Sequence, residues 1–364
     1  MTPVPQDAPA RFVAQKTIFE GSAITMRRAD SIHVTLRKVA EAAGVSVSTA
    51  SRVMNDATNV SDHKRVAVKA AAARLGFVLN GIAKALVDGR TRTVGLIAQH
   101  FESPFDALLL RGIEENLSRA GYALVVSSGH WNPGEEEHCV QVLRTRQVDG
   151  IIVLGGSLDD RFLIELAAEL PIVLTGRNLT APGLHSLRSN DYRGALAATR
   201  YLLQLGHRRI AHLAGDSSHP DSHERERGYR AALDEAQVAF DPDLVWQGNY
   251  HESSGTEAVE SLLERGIEFS AIFAANDQMA GGATLAVQRH GLHVPDDVSI
   301  VGFDDLLATK HASPPRTTVN LSVIELGRRA ASAMLDLLSQ RRPNAVAPEP
   351  ELIVRSSTAL RSMT

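Results

Sequence analysis

The chain has 364 residues, of which 44% are hydrophobic and 22% charged, with a formal net charge of -4 at pH 7; the composition is that of an ordinary globular protein, and the length exceeds what one core usually organises. No apolar run approaches the roughly 20 residues of a membrane helix, and Cys139 is the only cysteine, which excludes an intrachain disulfide and a cysteine-based zinc site and fits a reducing cytoplasm. The charge is uneven: residues 31–92 carry ten Lys/Arg against four acids, whereas residues from Thr93 onward sum to -11, the pattern of a small basic head suited to a polyanion on an acidic body.

Residues 1–30 contain Pro3, Pro5 and Pro9 without sustained periodicity and are expected to be disordered or loosely helical rather than a secretory signal. Met26 is an alternative start. From Val34 the pattern turns helical: Thr35 is a plausible N-cap, Leu36, Val39, Ala40 and Ala43 form one apolar face, and Gly44 supplies a tight turn. Val45 enters the core, Ser46 caps a second helix with Ala50, Val53 and Met54 buried, and Val47, Ser48, Ser51, Arg52 and Asn55 point outward. A third helix is expected from the Ser61 cap through Val66, Ala70 and Ala73 to Gly76. Beyond Arg92, seven apolar runs (94–98, 123–126, 150–154, 172–174, 210–214, 271–274 and 299–303) alternate with helical stretches such as 107–120, 191–205 and 277–290. Such alternation implies parallel sheets covered on both faces, and seven strands suit two doubly wound subdomains better than one.

The run from Val39 to Asn55 (VAEAAGVSVSTASRVMN) closely resembles the helix-turn-helix of the lactose-repressor (LacI/GalR) family. Ala40 is small where two helices cross, Gly44 makes the turn, and an outward face of short polar groups plus one arginine suits a major groove. The resemblance continues through Asn80-Gly81-Ile82-Ala83-Lys84-Ala85-Leu86, which corresponds to the family's hinge helix, with Leu86 at the position that wedges into a minor-groove step. Leu79 replaces the usual proline, Gly81 lowers helix propensity, and Lys38 stands where the family usually has an acidic residue. Thr35, Val47, Ser48, Thr49, Ser51, Arg52, Asn55, Asn80, Ala83 and Leu86 are the DNA-binding residues that the resemblance implies.

The rest resembles the family's periplasmic-binding-protein-like core, with landmarks at Ser103-Pro104-Phe105, Arg225 with Gly228-Tyr229, Ala275-Asn276-Asp277, and Val301 to Asp305. Each falls at or after a predicted strand end, where open α/β sheets bind ligands. By that likeness Phe105 and Tyr250 are apolar walls, Arg225, Asn276 and Asp304 are polar anchors, and Gln99 lines the end of the first strand. Arg225 and Asp304 are expected to hold one polyhydroxylated ligand from opposite sides of the cleft. Gly176 stands where many relatives use an aspartate, which leaves the ligand's identity open.

The expected organisation is a disordered extension (1–30), an all-α helix-turn-helix head (31–78), a hinge helix (79–91) and an α/β effector-binding and dimerisation core (92–361). The core divides into an N-subdomain (92–189 and 320–350) and a C-subdomain (190–319 and 351–361). Glu135-Glu136-Glu137-His138-Cys139 reads as a solvated helix face, and His207, His212, His219 and His223 lack a metal-ligand spacing. No Walker loop, nucleophile elbow or dinucleotide fingerprint is present in the sequence. The expectation is therefore a cytoplasmic, homodimeric transcriptional regulator, a repressor by type, with no cofactor, no metal, no catalytic residue and no membrane partner. It binds an operator in double-stranded DNA and answers a small sugar-like effector that alters the angle between the subdomains. The alternative from another class is a cytosolic sugar-binding or sugar-processing α/β protein with a basic interaction head.

Overall fold

The structure, a computed structural model, describes residues 34–55, 58–77 and 89–361. The expected extension, and Asn80, Ala83 and Leu86 of the expected hinge, lie outside the described residues. The chain divides into two compact units between residues 80 and 81.

The first unit is three helices, α1 (Leu36–Ala43), α2 (Val47–Met54) and α3 (Asp62–Leu75). Thr35 Oγ1 accepts from the Lys38 amide at 3.4 Å, and Gly44, at φ 65°, closes α1 in the left-handed conformation that glycine adopts without strain. Ser46 Oγ accepts from the Thr49 amide at 3.2 Å and so caps α2. Val39, Ala40, Ala50 and Val53 pack against Val68, Ala71 and Ala72 of α3. The buried stripe of α3 is therefore not Val66, Ala70 and Ala73, which are exposed, and Ser61 makes no side-chain cap. The helix is apolar on several sides, so its periodicity selects no single face and contact with α1 and α2 decides which residues are buried.

The second unit holds two parallel sheets. β1 (Thr93–Ala98), β2 (Ala123–Ser128), β3 (Gly150–Leu154), β4 (Ile172–Thr175) and β5 (Leu184–Leu187) lie in the order β2-β1-β3-β4-β5. β6 (Ile210–Ala214), β7 (Val245–Gln247), β8 (Ala271–Ala274), β9 (Ser299–Asp304), β10 (Thr317–Asn320) and β11 (Glu351–Ile353) follow in the order β11-β10-β9-β8-β6-β7, with only β11 antiparallel. Helices α4 (Pro104–Arg119), α5 (Pro133–Thr145) and α6 (Asp160–Ala167) connect the first sheet. Helices α7 (Asp191–Gln204), α8 (Pro220–Glu235), α9 (Glu252–Glu264), α10 (Asp277–Arg289) and α11 (Leu307–His311) serve the second. Four strands escaped the sequence reading: β5, β7, β10 and β11 are three or four residues long, too short and too polar for an apolar run to mark them.

Helix α12 (Val323–Leu338) leaves β10 of the second sheet and packs on α4 of the first. The approach needs glycine on both sides: a Cβ on Gly112 would stand 2.0 Å from Ile324 O, and one on Gly327 would stand 2.2 Å from Leu109 O. Neither backbone oxygen can yield as a flexible side chain would, so Gly112→Ala is expected to destabilise the second unit by about 1–3 kcal/mol through overpacking. A lowered midpoint in urea unfolding checks this; an unchanged midpoint would mean that the helices separate at no cost.

His212 on β6 is fully buried between the rings of Tyr229 and Phe273, with centroids at 5.0 and 4.9 Å. Its Nδ1 lies 3.0 Å from Phe273 O, and its Nε2 has no partner, so Nδ1 carries the proton and donates it. Burial pushes its pKa down to about 4. Between pH 6.5 and 4 the unfolded chain then binds a proton that the folded chain refuses, so this residue's contribution to stability falls as pH drops through that window. The loss is on the order of 3 kcal/mol. Buried Asp191, raised to about 6 chiefly by burial, pulls the other way. The difference between wild type and His212→Phe, followed by urea unfolding from pH 7 to 4.5, isolates the histidine and is expected to shrink steadily with acid.

Candidate functional site

Two surfaces carry chemistry, one on each unit. On the head, Val47, Ser48, Arg52 and Asn55 of α2 and its C-cap are exposed, as is Thr35. Thr49 and Ser51 are half-buried: the Thr49 hydroxyl lies 2.9 Å from Ser46 Oγ, and the Asn55 amide donates to Ser51 O at 3.0 Å. The exposed set sits about one helical turn apart along one side of α2, which is the display a groove reader needs.

On the second unit a cavity of about 550 Å³ opens among the loops at the carboxyl ends of both sheets. From the first sheet come His100, Ser103, Phe105 and Asp106, then His130 and Trp131 after β2, and Gly155 after β3. Ser103 Oγ caps α4 by accepting from the Asp106 amide at 3.2 Å, and Pro104 occupies the first turn, where no amide proton is missed. Trp131 lies flat on the β3 end because residue 155 has no side chain: a Cβ there would stand 2.7 Å from the indole. Its amide donates to Gln99 Oε1 at 2.8 Å, and Gln99 Nε2 donates to Leu154 O at 3.1 Å. Gln99 thus holds the wall and does not line the cavity as expected; it is buried behind it. Glu136, read from sequence as part of a solvated face, is also buried, because its carboxylate accepts from the Ser157 and Leu158 amides and fixes the loop after β3.

From the second sheet come Asp216, His219, Asp221, Arg225, Asn249, Tyr250, Asn276 and Asp304. Arg225 is 4% exposed, although its surrounding charge run reads as a solvated face. Its Nε donates to Asp191 Oδ1 at 2.9 Å and its Nη1 to Ala275 O, while Nη2 lies 3.3 Å from Asp221 and 3.9 Å from Asp304. The guanidinium stacks 4.1 Å from the Phe303 ring centroid. Arg225 and Asp304 are therefore neighbours on one side of the cavity and do not face each other across it, because both issue from the second sheet and its helices. Asp304 has Oδ1 buried without a hydrogen bond and a backbone φ of 105°. Burial drives its carboxyl well above the usual range, against the attraction of Arg225.

Asn276 caps α10 by accepting from the Met279 amide at 2.9 Å, and its Nδ2 donates to Tyr250 O at 2.8 Å. It thereby fixes Tyr250, itself at φ 69° with its ring over Gly215, where a Cβ would stand 2.0 Å from the ring carbon. The Tyr250 hydroxyl is buried without a partner. His219 stacks on Trp131 of the first sheet, with centroids 3.6 Å apart, and on Tyr250 at 5.4 Å. One aromatic column therefore joins both sheets. Burial holds the His219 imidazole below the usual histidine range.

Residues 35–80 match the family model for bacterial regulatory proteins of the lacI family, and residues 199–358 match the periplasmic binding protein-like domain. The HTH-type transcriptional regulator DegA of Bacillus subtilis (strain 168) is 34% identical over 331 residues, covering 89% of this chain and 98% of its own. The chain belongs to the lacI family of bacterial regulatory proteins. The HTH-type transcriptional regulator GalR of Escherichia coli (strain K12) is 34% identical, covering 87% of this chain and 91% of its own. A lac repressor dimer bound to operator and the anti-inducer ONPF superposes with a TM-score of 0.80 at 28% identity, covering 90% and 99% of the two chains. A CelR–cellobiose complex is 35% identical with a TM-score of 0.67, covering 89% and 99%.

A lacI-family chain is a DNA-binding transcriptional regulator, and the helix-turn-helix plus two-sheet α/β architecture expected from the sequence is the one found. Five of the six expected ligand residues (Phe105, Arg225, Tyr250, Asn276 and Asp304) line the cavity. Sequence reasoning missed Trp131, His219, Asp191 and Asp221. For Asp191 only a helix start was read, Asp221 fell in no expected element, and nothing local to Trp131 or His219 announces that they meet. Among the described residues no helix is long and apolar enough to cross a membrane.

The buried ion cluster gives a direct test. Arg225→Met leaves Asp191 without its cation and is expected to destabilise the second unit by about 3–5 kcal/mol, whereas Arg225→Met with Asp191→Asn should recover part of that loss by removing the stranded charge. Urea unfolding of the three proteins checks it; equal losses in the single and double variants would remove the ion pair from the account.

Proposed function

We propose that this regulator is a cytoplasmic homodimeric repressor that reads an operator with α2 and answers a small sugar-like effector bound in the cavity, without turning that ligand over. The observation that carries the effector half is the Asp304 carboxyl, buried, unpartnered at Oδ1 and bordering a cavity that also holds aromatic faces. A buried acceptor bordering a cavity that Ser103, Ser189, Asn249 and Phe105 also line suits the hydroxyls and the C–H faces of a carbohydrate. On the head, exposed Arg52 suits a guanine edge, with Val47, Ser48 and Asn55 exposed on the same helix or its cap, Thr35 exposed at the start of α1, Thr49 supporting the start of α2 and Ser51 its end. Dimerisation follows from the relatives' assembly and from the weakness of one small head on one half-site.

The test begins with an operator selected from random duplexes and gel shifts at fixed salt, since affinity without salt has no meaning here. Arg52→Ala is expected to cost about 1–3 kcal/mol on the selected site and much less on random DNA. Equal losses on both would reassign Arg52 to a phosphate, and absence of any preferred sequence would overturn the reading.

A further inference from the structure

We propose that Trp131 and His219 form a latch that holds the two sheets closed over the cavity, with Trp131 as its fixed half and His219 as the half that moves. The latch stands on contacts between the sheets; only its effect on operator binding rests on reading the cavity as the effector site. Trp131 belongs to the loop after β2 of the first sheet, and His219 is the N-cap of α8 in the second. Their rings stack with centroids 3.6 Å apart and planes 21° apart. Beside them His100, after β1, meets His251, before α9, edge-on at 6.4 Å. Among the described residues no hydrogen bond or ion pair joins the loops after β1, β2, β3 and β4 to those after β6, β7, β8 and β9. The ion pair Arg188–Glu224, at 3.2 Å, lies instead where the chain crosses from β5 to α7. Ring contacts are thus what spans the cavity.

The two halves are built differently. His130 and Trp131 both lie in the left-handed region, at φ 52° and 53°, a costly conformation for side chains of their size that persists only where the surroundings dictate it. Here they do. The Trp131 amide donates to Gln99 Oε1 at 2.8 Å, and its carbonyl accepts at 3.1 Å from the hydroxyl of Ser157, whose own amide donates to buried Glu136. The indole lies on residue 155, where a Cβ would stand 2.7 Å from it. All of these partners belong to the first sheet and its loops, so Trp131 is fixed without help from the second. The His219 imidazole, by contrast, has no hydrogen-bond partner among the described residues and makes no cap to α8. It is held by its stack on Trp131 and a looser one on Tyr250 at 5.4 Å. One stacked ring pair favours the closed form by about 2- to 10-fold, a balance that a modest perturbation overturns. Trp131, His219 and Tyr250 all line the cavity, so a ligand that takes the face of either outer ring competes directly with the latch.

The experiment measures the distance between the sheets in the full chain without ligand. Spin labels are placed at Gln141→Cys on α5 and Glu257→Cys on α9, both exposed positions, with Cys139→Ser removing the native thiol. In that background His219→Ala is expected to raise the open population relative to the closed one by about 2- to 10-fold, whereas His219→Phe, which keeps a flat ring, should hold the closed distance. Trp131→Leu should open the sheets as far as His219→Ala does, and the two together should add nothing further, because both remove the same contact. The proposal is overturned if His219→Ala leaves the distance distribution unchanged, if His219→Phe opens the sheets equally, or if the effects of His219→Ala and Trp131→Leu add. Gel shifts on the selected operator separate the latch from the reading of the cavity. An operator affinity that moves with His219→Ala and not with His219→Phe supports both. Sheets that open while operator affinity stays constant support the latch and remove the cavity from regulation.

Discussion

Arg225 is held away from water by groups drawn from four places in the fold: Asp191 at the start of α7, Asp221 on its own helix α8, Ala275 after β8 and Asp304 at the end of β9. Burying a guanidinium is costly, and the cost is met only where its donors are all engaged. Here they are, and the shortest contacts go to Asp191 and to the carbonyl. Asp304 receives only a 3.9 Å approach, which leaves Oδ1 without a hydrogen bond. The group that borders the cavity is thus produced by the ion pair beside it: satisfying Asp191 first leaves Asp304 desolvated, raised in pKa and with a free lone pair. Replacing that pair alters the cavity as well as the fold.

A second constraint is spatial. The aromatic column Trp131–His219–Tyr250 can cross between the sheets only because Gly155 and Gly215 lie beneath its two ends. Gln99 and Asn276 then fix the two outer rings by hydrogen bonds to the backbone of residues 131 and 250. Two polar residues that look like ligand contacts in sequence are in this way committed largely to positioning. Asn276 does border the cavity, but its carboxamide is already used at both ends.

Much of this was legible in the sequence because it depends on local rules. The Thr35 and Ser46 caps, the Gly44 turn and the buried Val39, Ala40, Ala50 and Val53 follow from helix chemistry alone, and the apolar strands β1, β3, β6, β8 and β9 follow from being covered on both faces. What was not legible depends on partners distant in sequence. The stripe of α3 is chosen by α1 and α2, Arg225 is turned inward by Asp191 34 residues away, and Glu136 is buried by amides more than 20 residues on. Trp131 and His219 meet across two sheets with no period or motif linking them. Placing Arg225 opposite Asp304 failed although the expected C-subdomain (190–319 and 351–361) already held both: position at strand ends can be read from a sequence, but the direction in which a buried side chain turns cannot.

The charge pattern connects the two units chemically. DNA affinity is dominated by phosphate contacts that demand cations, and the +6 of residues 31–92 concentrates them in the head, while the -11 beyond Thr93 makes the remainder a poor partner for the same polyanion. The acidic lining of the cavity extends that sign into the ligand site. Its carboxyl groups present acceptors to hydroxyls, and those nearest Arg225 are already tied to it, so the lining is less anionic than its composition suggests. The sign of the charge thus separates the two units: the basic one suits a polyanion, and the acidic one does not compete for it.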